Sequence, residues 1–259
     1  MTSQVKNVGA SVAARLRGIA RERKEDFQFV LLRYANERLL YRLAMSPHGQ
    51  QFVLKGATLF ALWTGHPHRA TRDIDLLGYG DSRPESVAAV FREILNVRVV
   101  DDGVRFDATS LTAGPIRNDQ TYGGVRVALS ARIDTAKVRL QVDVGFGDAV
   151  TPAAREAELP CLLDFPAPHL AVYPRDTVVA EKVEAMVKLG VANSRMKDFH
   201  DLATLSETFD FDGQILVEAI RATFARRGTA LPCALPVALT DALTDEFLTD
   251  PAKRIQWRA

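Results

Sequence analysis

A chain of 259 residues, 47% hydrophobic and 25% charged, has the composition of an ordinary globular protein and is long enough for one large domain or two small ones. Its 33 lysines and arginines nearly cancel 32 aspartates and glutamates. That balance excludes a global electrostatic signature for a polyanion partner and leaves local basic patches open. The cysteines Cys161 and Cys233 are far apart and lack ligand spacing, which speaks against a disulfide framework or a zinc site and fits a reducing cytoplasm. No apolar run approaches the roughly 18 residues of a bilayer span, and the N-terminus has no apolar signal core, so a cytoplasmic protein without a membrane partner is expected.

Residues 1 to 7 read as frayed. Val12, Leu16, Ile19 and Ala20 then recur at helical spacing, and a second helical run carries Phe27, Phe29, Val30, Leu31, Tyr34, Leu39, Leu40, Leu43 and Met45 before Ser46-Pro47-His48-Gly49 ends it. Arg33, Glu37, Arg38 and Arg42 punctuate this run. They read as a solvated face, the alternative being that an arginine reaches a substrate phosphate.

The stretch that organises the chain follows. Phe52-Val53-Leu54-Lys55 is a β-favouring run, and Gly56-Ala57-Thr58 opens an apolar, helix-like segment. Backbone amides at that opening are expected to point outward, ready for a phosphate; taken alone, Lys-Gly before a helix is also simply a turn. Beyond a polar turn, Arg72-Asp73-Ile74-Asp75-Leu76 alternates as a half-buried strand, which puts both carboxylates on one face. Such a pair repels unless a cation sits between, and Mg²⁺, hard and oxygen-seeking, suits it. A solvated strand edge explains the same pair.

Pro84 to Leu95 reads as a helix, and Val97 to Val100, Val104 to Ala108, Gly124 to Ala131 and Val138 to Val144 read as strands separated by turns. In the last strand Asp143 alternates with Val142 and Val144, on the polar face of a strand that could neighbour Asp73 and Asp75. Three carboxylates would then converge, although an exposed strand aspartate is the plainer reading. Asp148, beyond a glycine, reads as a turn residue. A proline-punctuated connector with a strand around Leu159 to Leu163 leads to a helix over Val178 to Leu189, capped by Asp176 or Thr177 and buried through Val183, Met186 and Val187. Lys182 lies on it. Asp198 and Asp201, three apart, share a face of the next helix, while Phe199, Leu202 and Leu205 pack away from them. An acidic face is usually solvated, but Lys182 could reach the same cleft.

On these residues the chain resembles the AbiEii/AbiGii family of toxin nucleotidyltransferases, related to the mycobacterial MenT toxins and sharing a fold with DNA polymerase β. The resemblance spans roughly Arg33 to Leu205. It is carried by Lys55-Gly56-Ala57-Thr58, by Arg69-x-Thr71-Arg72-Asp73-Ile74-Asp75-Leu76, by Val142-Asp143-Val144-Gly145-Phe146-Gly147, and by Glu181-Lys182 followed by Lys197-Asp198-Phe199-x-Asp201-Leu202. Gly56-Ala57 stands where the family commonly shows Gly-Gly or Gly-Ser, with Thr58 left to supply the hydroxyl. The separation of Gly56 from Asp73 is longer than in polymerase-type relatives.

The resemblance implies that Asp73, Asp75 and Asp143 hold Mg²⁺, with Mn²⁺ as an alternative, and that Asp143 completes a second metal position or serves as base. Lys55, Gly56 and Thr58 would cradle phosphate, Lys182 would neutralise the triphosphate, and Asp198 would orient Lys182 or the base. Arg69 and Arg72 are equally readable as phosphate ligands or as structural partners of the carboxylates, and Asp201 as catalytic or as a tie for its helix. The expected fold is α/β (α+β): a polymerase β-like core with a mixed sheet over 49–150, an N-terminal helical layer over 1–48 and a mainly helical part over 151–259. The expected activity is transfer of a nucleoside monophosphate from an NTP to an acceptor, the 3′ end of tRNA or another RNA, opposed by an antitoxin protein. A non-catalytic nucleotide- or partner-binding protein and a two-metal nuclease are the alternatives.

Overall fold

The computed structural model describes residues 7–65, 71–116, 123–232 and 249–258. His66, His68, Arg69 and Cys233, and all but the last residue of the frayed start, lie outside the described residues. Two compact units emerge, Met1–Gly147 with Glu156–Val172, and Asp148–Arg155 with Tyr173–Ala259. This division differs from breaks at 48 and 150: the N-terminal helices share a unit with the sheet.

In the first unit, α1 (Val8–Arg23) starts at Asn7, whose side chain accepts from the Ala10 amide, and α2 (Phe27–Met45) starts at Asp26, which accepts from Phe29. Each cap satisfies an amide that the first helical turn leaves without a partner. Helix α2 packs against α1 and against the sheet and buries Val30, Leu31, Tyr34, Leu39, Leu40 and Leu43.

The expectation of a solvated charged face on α2 is overturned. Glu37, Arg38 and Arg42 are all buried, because the helix is covered on several sides. Their charges are met inside: Arg42 binds Asp102 through two nitrogens at 2.7 and 3.1 Å, and Arg38 meets Glu37 at 2.8 Å and the Pro166 carbonyl at 3.0 Å. Removing one partner of such a buried pair costs about 3–5 kcal/mol, because the other charge is left stranded.

A seven-stranded sheet runs in the order β3-β4-β5-β2-β1-β7-β6, with β1 (Phe52–Lys55), β2 (Asp73–Gly78), β3 (Val104–Pro115), β4 (Gly124–Ile133), β5 (Ala136–Phe146), β6 (Arg155–Glu158) and β7 (His169–Val172). It is mixed: β2 lies parallel to β5 and β1 to β7, whereas β1–β2, β3–β4 and β4–β5 are antiparallel. Short α3 (Thr58–Thr64) follows β1, and α4 (Pro84–Leu95), with proline at its start, lies against β3. Along β4 and β5, Val125, Val127, Leu129, Ala131, Val138, Leu140, Val142 and Val144 are buried. This alternation gives the sheet one apolar face and frees the other for polar residues.

Three strand expectations need correction. Val97–Val100 forms no strand, and β3 runs through Gly114 and Pro115, which remain paired with Arg126 and Val125. Proline is tolerated there because β3 is an edge strand and Pro115 its last residue. Leu159–Leu163 is not a strand either; pairing falls to β6 and β7 on either side, and the Leu162 amide is taken by the Glu37 carboxylate at 2.8 Å.

The second unit is built on α5 (Arg175–Leu189), α6 (Met196–Thr208), α7 (Gly213–Arg227) and α8 (Pro251–Arg258). Neither expected residue caps α5: Pro174 stands at the cap, Asp176 is in the first turn, and the Thr177 hydroxyl accepts from the Thr151 amide and donates to the Thr151 carbonyl. The buried face of α5 is also rotated from the expected stripe, to Val178, Ala180, Glu184, Ala185 and Met186. Glu184 can be buried because Arg227 meets it at 2.9 Å and the Thr229 hydroxyl donates to it.

Candidate active site

The strand register assembles the site. Parallel β2 and β5 set Asp75 beside Asp143 and Asp73 beside Gln141; β1 sets Lys55 beside Asp75, and β4 sets Arg126 beside Asp143. Directly paired residues project from the same face. One row across four strands therefore reads Lys55, Asp75, Asp143, Arg126, with Asp73 two residues along from Asp75 on that face. Ile74, Val142 and Val144, between these positions, are buried on the opposite face. Two carboxylates side by side repel, and a cation stands at each end of the row.

Arg126 binds Asp143 with both arms of its guanidinium, at 2.8 and 2.7 Å. Hydrogen bonding to Asp143 holds its pKa above the ordinary arginine value, with the Asp73 and Asp75 charges adding to the effect. The same cation thus feels all three carboxylates. At the other end, Gly56 has φ +77°, and a Cβ placed there would overlap Asp75 Oδ2 and come within 2.8 Å of its Cβ and Cγ. Glycine is needed twice, for the left-handed backbone and for this close approach. Gly56→Ala is expected to cost about 1–3 kcal/mol of stability and to push Asp75 aside. Since misplacement of about 1 Å costs on the order of 10²-fold, urea melts and a transfer assay on one preparation should register both losses.

Among the described residues no group of three His, Cys, Asp or Glu side chains forms a ready metal cage. The donor set nevertheless suits Mg²⁺, which is usually held by one or two carboxylates, water and substrate phosphates rather than by protein alone. Asp73, Asp75 and Asp143 would supply hard oxygens of that kind, Asp143 in competition with Arg126.

The sequence profile described as the nucleotidyl transferase AbiEii toxin of type IV toxin-antitoxin systems matches residues 38–259. The chain belongs to this AbiEii family. As an AbiEii family member it is a nucleotidyltransferase of toxin-antitoxin type. No curated protein matches it. Among solved structures it is similar to JHP933 of Helicobacter pylori, with 15% identity, 85% of this chain and 83% of that one covered and a TM-score of 0.44. A second Helicobacter pylori protein, named as a nucleotidyltransferase, shows 18% identity, 84% and 83% coverage and a TM-score of 0.42. No described helix is long and apolar enough to cross a membrane.

The remaining expected site residues of this AbiEii chain fall as follows. Lys55 is half-buried at the end of β1, Thr58 opens α3, and Arg72 is exposed just before β2, its carbonyl accepting from Asn36. In the second unit Lys182 Nζ lies between Asp198 Oδ1 at 2.6 Å and Asp201 Oδ2 at 2.8 Å. The acidic face of α6 is therefore not solvated: Asp201 is fully buried. Asp148 is also more than a turn residue, since Arg227 binds it at 3.0 Å.

Arg126 is a site residue that strand alternation alone does not single out. Its signal was the hairpin: Ile133 pairs with Ala136 across Asp134 and Thr135, and counting back along both strands places Arg126 opposite Asp143.

Proposed function

We propose that this AbiEii-family enzyme uses Asp73, Asp75 and Asp143 to transfer a nucleoside monophosphate from an NTP to the 3′ end of an RNA, tRNA by resemblance, and that a cognate antitoxin protein opposes it. The observation that carries the proposal is the register that sets Asp75 beside Asp143, with Gly56 pressed against Asp75. Asp73 and Asp75, with Asp143, would hold Mg²⁺ or Mn²⁺. When bound, such an ion offsets charge on the triphosphate during in-line displacement and pyrophosphate release.

The rest falls to the chain's own residues. Lys55, Gly56 and Thr58 bind phosphate, and Arg72, exposed and next to Asp73 in the chain, attracts it. The oxygen of the acceptor hydroxyl bonds to the α-phosphorus as the bond to pyrophosphate breaks, and Asp143 accepts the hydroxyl proton. By the same resemblance Lys182 neutralises the triphosphate and Asp198 orients Lys182, which their 2.6 Å contact supports.

Arg126 then competes for Asp143. An exposed pair of this kind contributes about 0.2–1 kcal/mol, so Arg126→Gln should lower the half-saturating Mg²⁺ concentration by up to about fivefold. A Mg²⁺ titration of initial rates checks this, and a raised requirement would contradict it. The proposal as a whole is tested by incubating the protein with each labelled NTP, Mg²⁺ and total RNA. Labelled RNA supports it; shortened RNA indicates a nuclease, and unchanged RNA a binding protein.

A further inference from the structure

A cavity of about 150 Å³ lies within the first unit, walled by Phe29, Leu40, Ala57, Ala61, Leu159 and Leu162. Arg33, Asn36 and Glu37 also face it. It adjoins the carboxylate row along the chain: Ala57 follows Gly56, which touches Asp75, and Thr71, also on the wall, stands two residues before Asp73. Its polar groups are under-used. Arg33 is ion-paired through Nη1 with Glu25 at 3.1 Å, yet its buried Nε and Nη2 make no hydrogen bond among the described residues. Asn36 donates through Nδ2 to the Arg72 carbonyl at 3.2 Å, which fixes its Oδ1 as an acceptor, and that buried atom also has no hydrogen bond. Burial, the foremost influence on it, lowers the Arg33 pKa.

A ligand that satisfies this wall brings acceptors to Arg33 and a donor to Asn36, on a body flat and apolar enough for Phe29 and the aliphatic side chains. A small carboxylate or a phosphate fails on two counts. It offers Asn36 Oδ1 no donor, and it would sit beside the Glu37 carboxylate, which is ion-paired with Arg38 and accepts from the Leu162 amide through Oε2. Every nucleobase has an edge that carries a donor next to an acceptor.

We propose that this cavity is a nucleobase subsite, read by Arg33 and Asn36. The inference rests on the nucleotidyl-transfer reading and adds to it the place where the base is recognised. Two sources share the chemistry, the base of the NTP and the terminal base of the acceptor RNA.

The test uses the full chain. Binding of the four ribonucleoside triphosphates is measured by calorimetry without RNA, and binding of four short single strands, one ending in each base, is measured without NTP. In wild type one of the two series should discriminate among the bases by at least about tenfold, as expected of a site built to hydrogen-bond its ligand. Discrimination in the first series assigns the donor base, and in the second the acceptor base. Asn36→Leu removes the acceptor and Ala61→Leu fills the cavity without touching a hydrogen bond; each, once thermal melting shows it folded, should reduce discrimination to less than about threefold. Absence of discrimination in both series, or its survival in a folded variant, overturns the proposal. Failure of the transfer reading is a separate result, since it shows as no labelled product from wild type under any base.

Discussion

Asp75→Asn is expected to lower nucleotidyl transfer by at least about 10³-fold, the upper range seen when one preorganised electrostatic group is removed, while leaving stability within about 1 kcal/mol of wild type. Asparagine keeps the shape of the side chain and the φ +77° turn at Gly56 that packs on it. The charge is lost, and one acceptor oxygen becomes an amide donor. Asp75 is flanked by Asp143 on β5 and Lys55 on β1, so neutralising it also removes a like-charge neighbour, which limits any structural cost. Initial rates with labelled NTP, read against a urea melt of the same preparation, separate the effects. A variant that retains more than about a tenth of wild-type transfer would remove Asp75 from the chemistry.

Lys182→Met is expected to show the opposite balance, a loss of about 3–5 kcal/mol in the stability of the second unit. Lys182 is 14% exposed and binds Asp198 and Asp201, whose side chains are 17% and 1% exposed. Methionine fills similar space and leaves two carboxylates facing each other without a cation. The double variant Lys182→Met with Asp201→Leu should recover a large part of the loss, because replacing both partners of a buried pair by apolar groups is often neutral. Chemical denaturation of the three proteins decides this. Equal melts for wild type and Lys182→Met would mean that the ion pair does not hold α5 to α6, whatever part Lys182 plays in the reaction.

Local chemistry made some elements legible. The apolar run from Phe27 at helical spacing yields α2, a proline opens α4 at Pro84, and strict alternation in Leu140 to Val144 yields β5 with Asp143 on the polar face. The carboxylates could be nominated for the same reason, since a period of two fixes the face of each strand. Their meeting depended on pairing, which no single strand encodes: β2 and β5 are joined in parallel across more than sixty residues of chain. Burial of charge was the least legible feature. Arg38, Arg42, Glu184 and Asp201 look like surface residues in isolation, and only the partners Glu37, Asp102, Arg227 and Lys182 make their burial tolerable. Arg126 was hidden for a milder reason, that an exposed strand arginine is unremarkable until the hairpin register sets it opposite Asp143.

The central claim is that carboxylates from β2 and β5 gather a divalent cation on one face of the sheet. Titration of Mn²⁺ by electron paramagnetic resonance, with NTP and without RNA, measures that directly and requires no turnover. Wild type should take up Mn²⁺ in the presence of nucleotide, and Asp75→Asn should bind it at least about tenfold more weakly. Identical titrations for the two proteins would contradict the account.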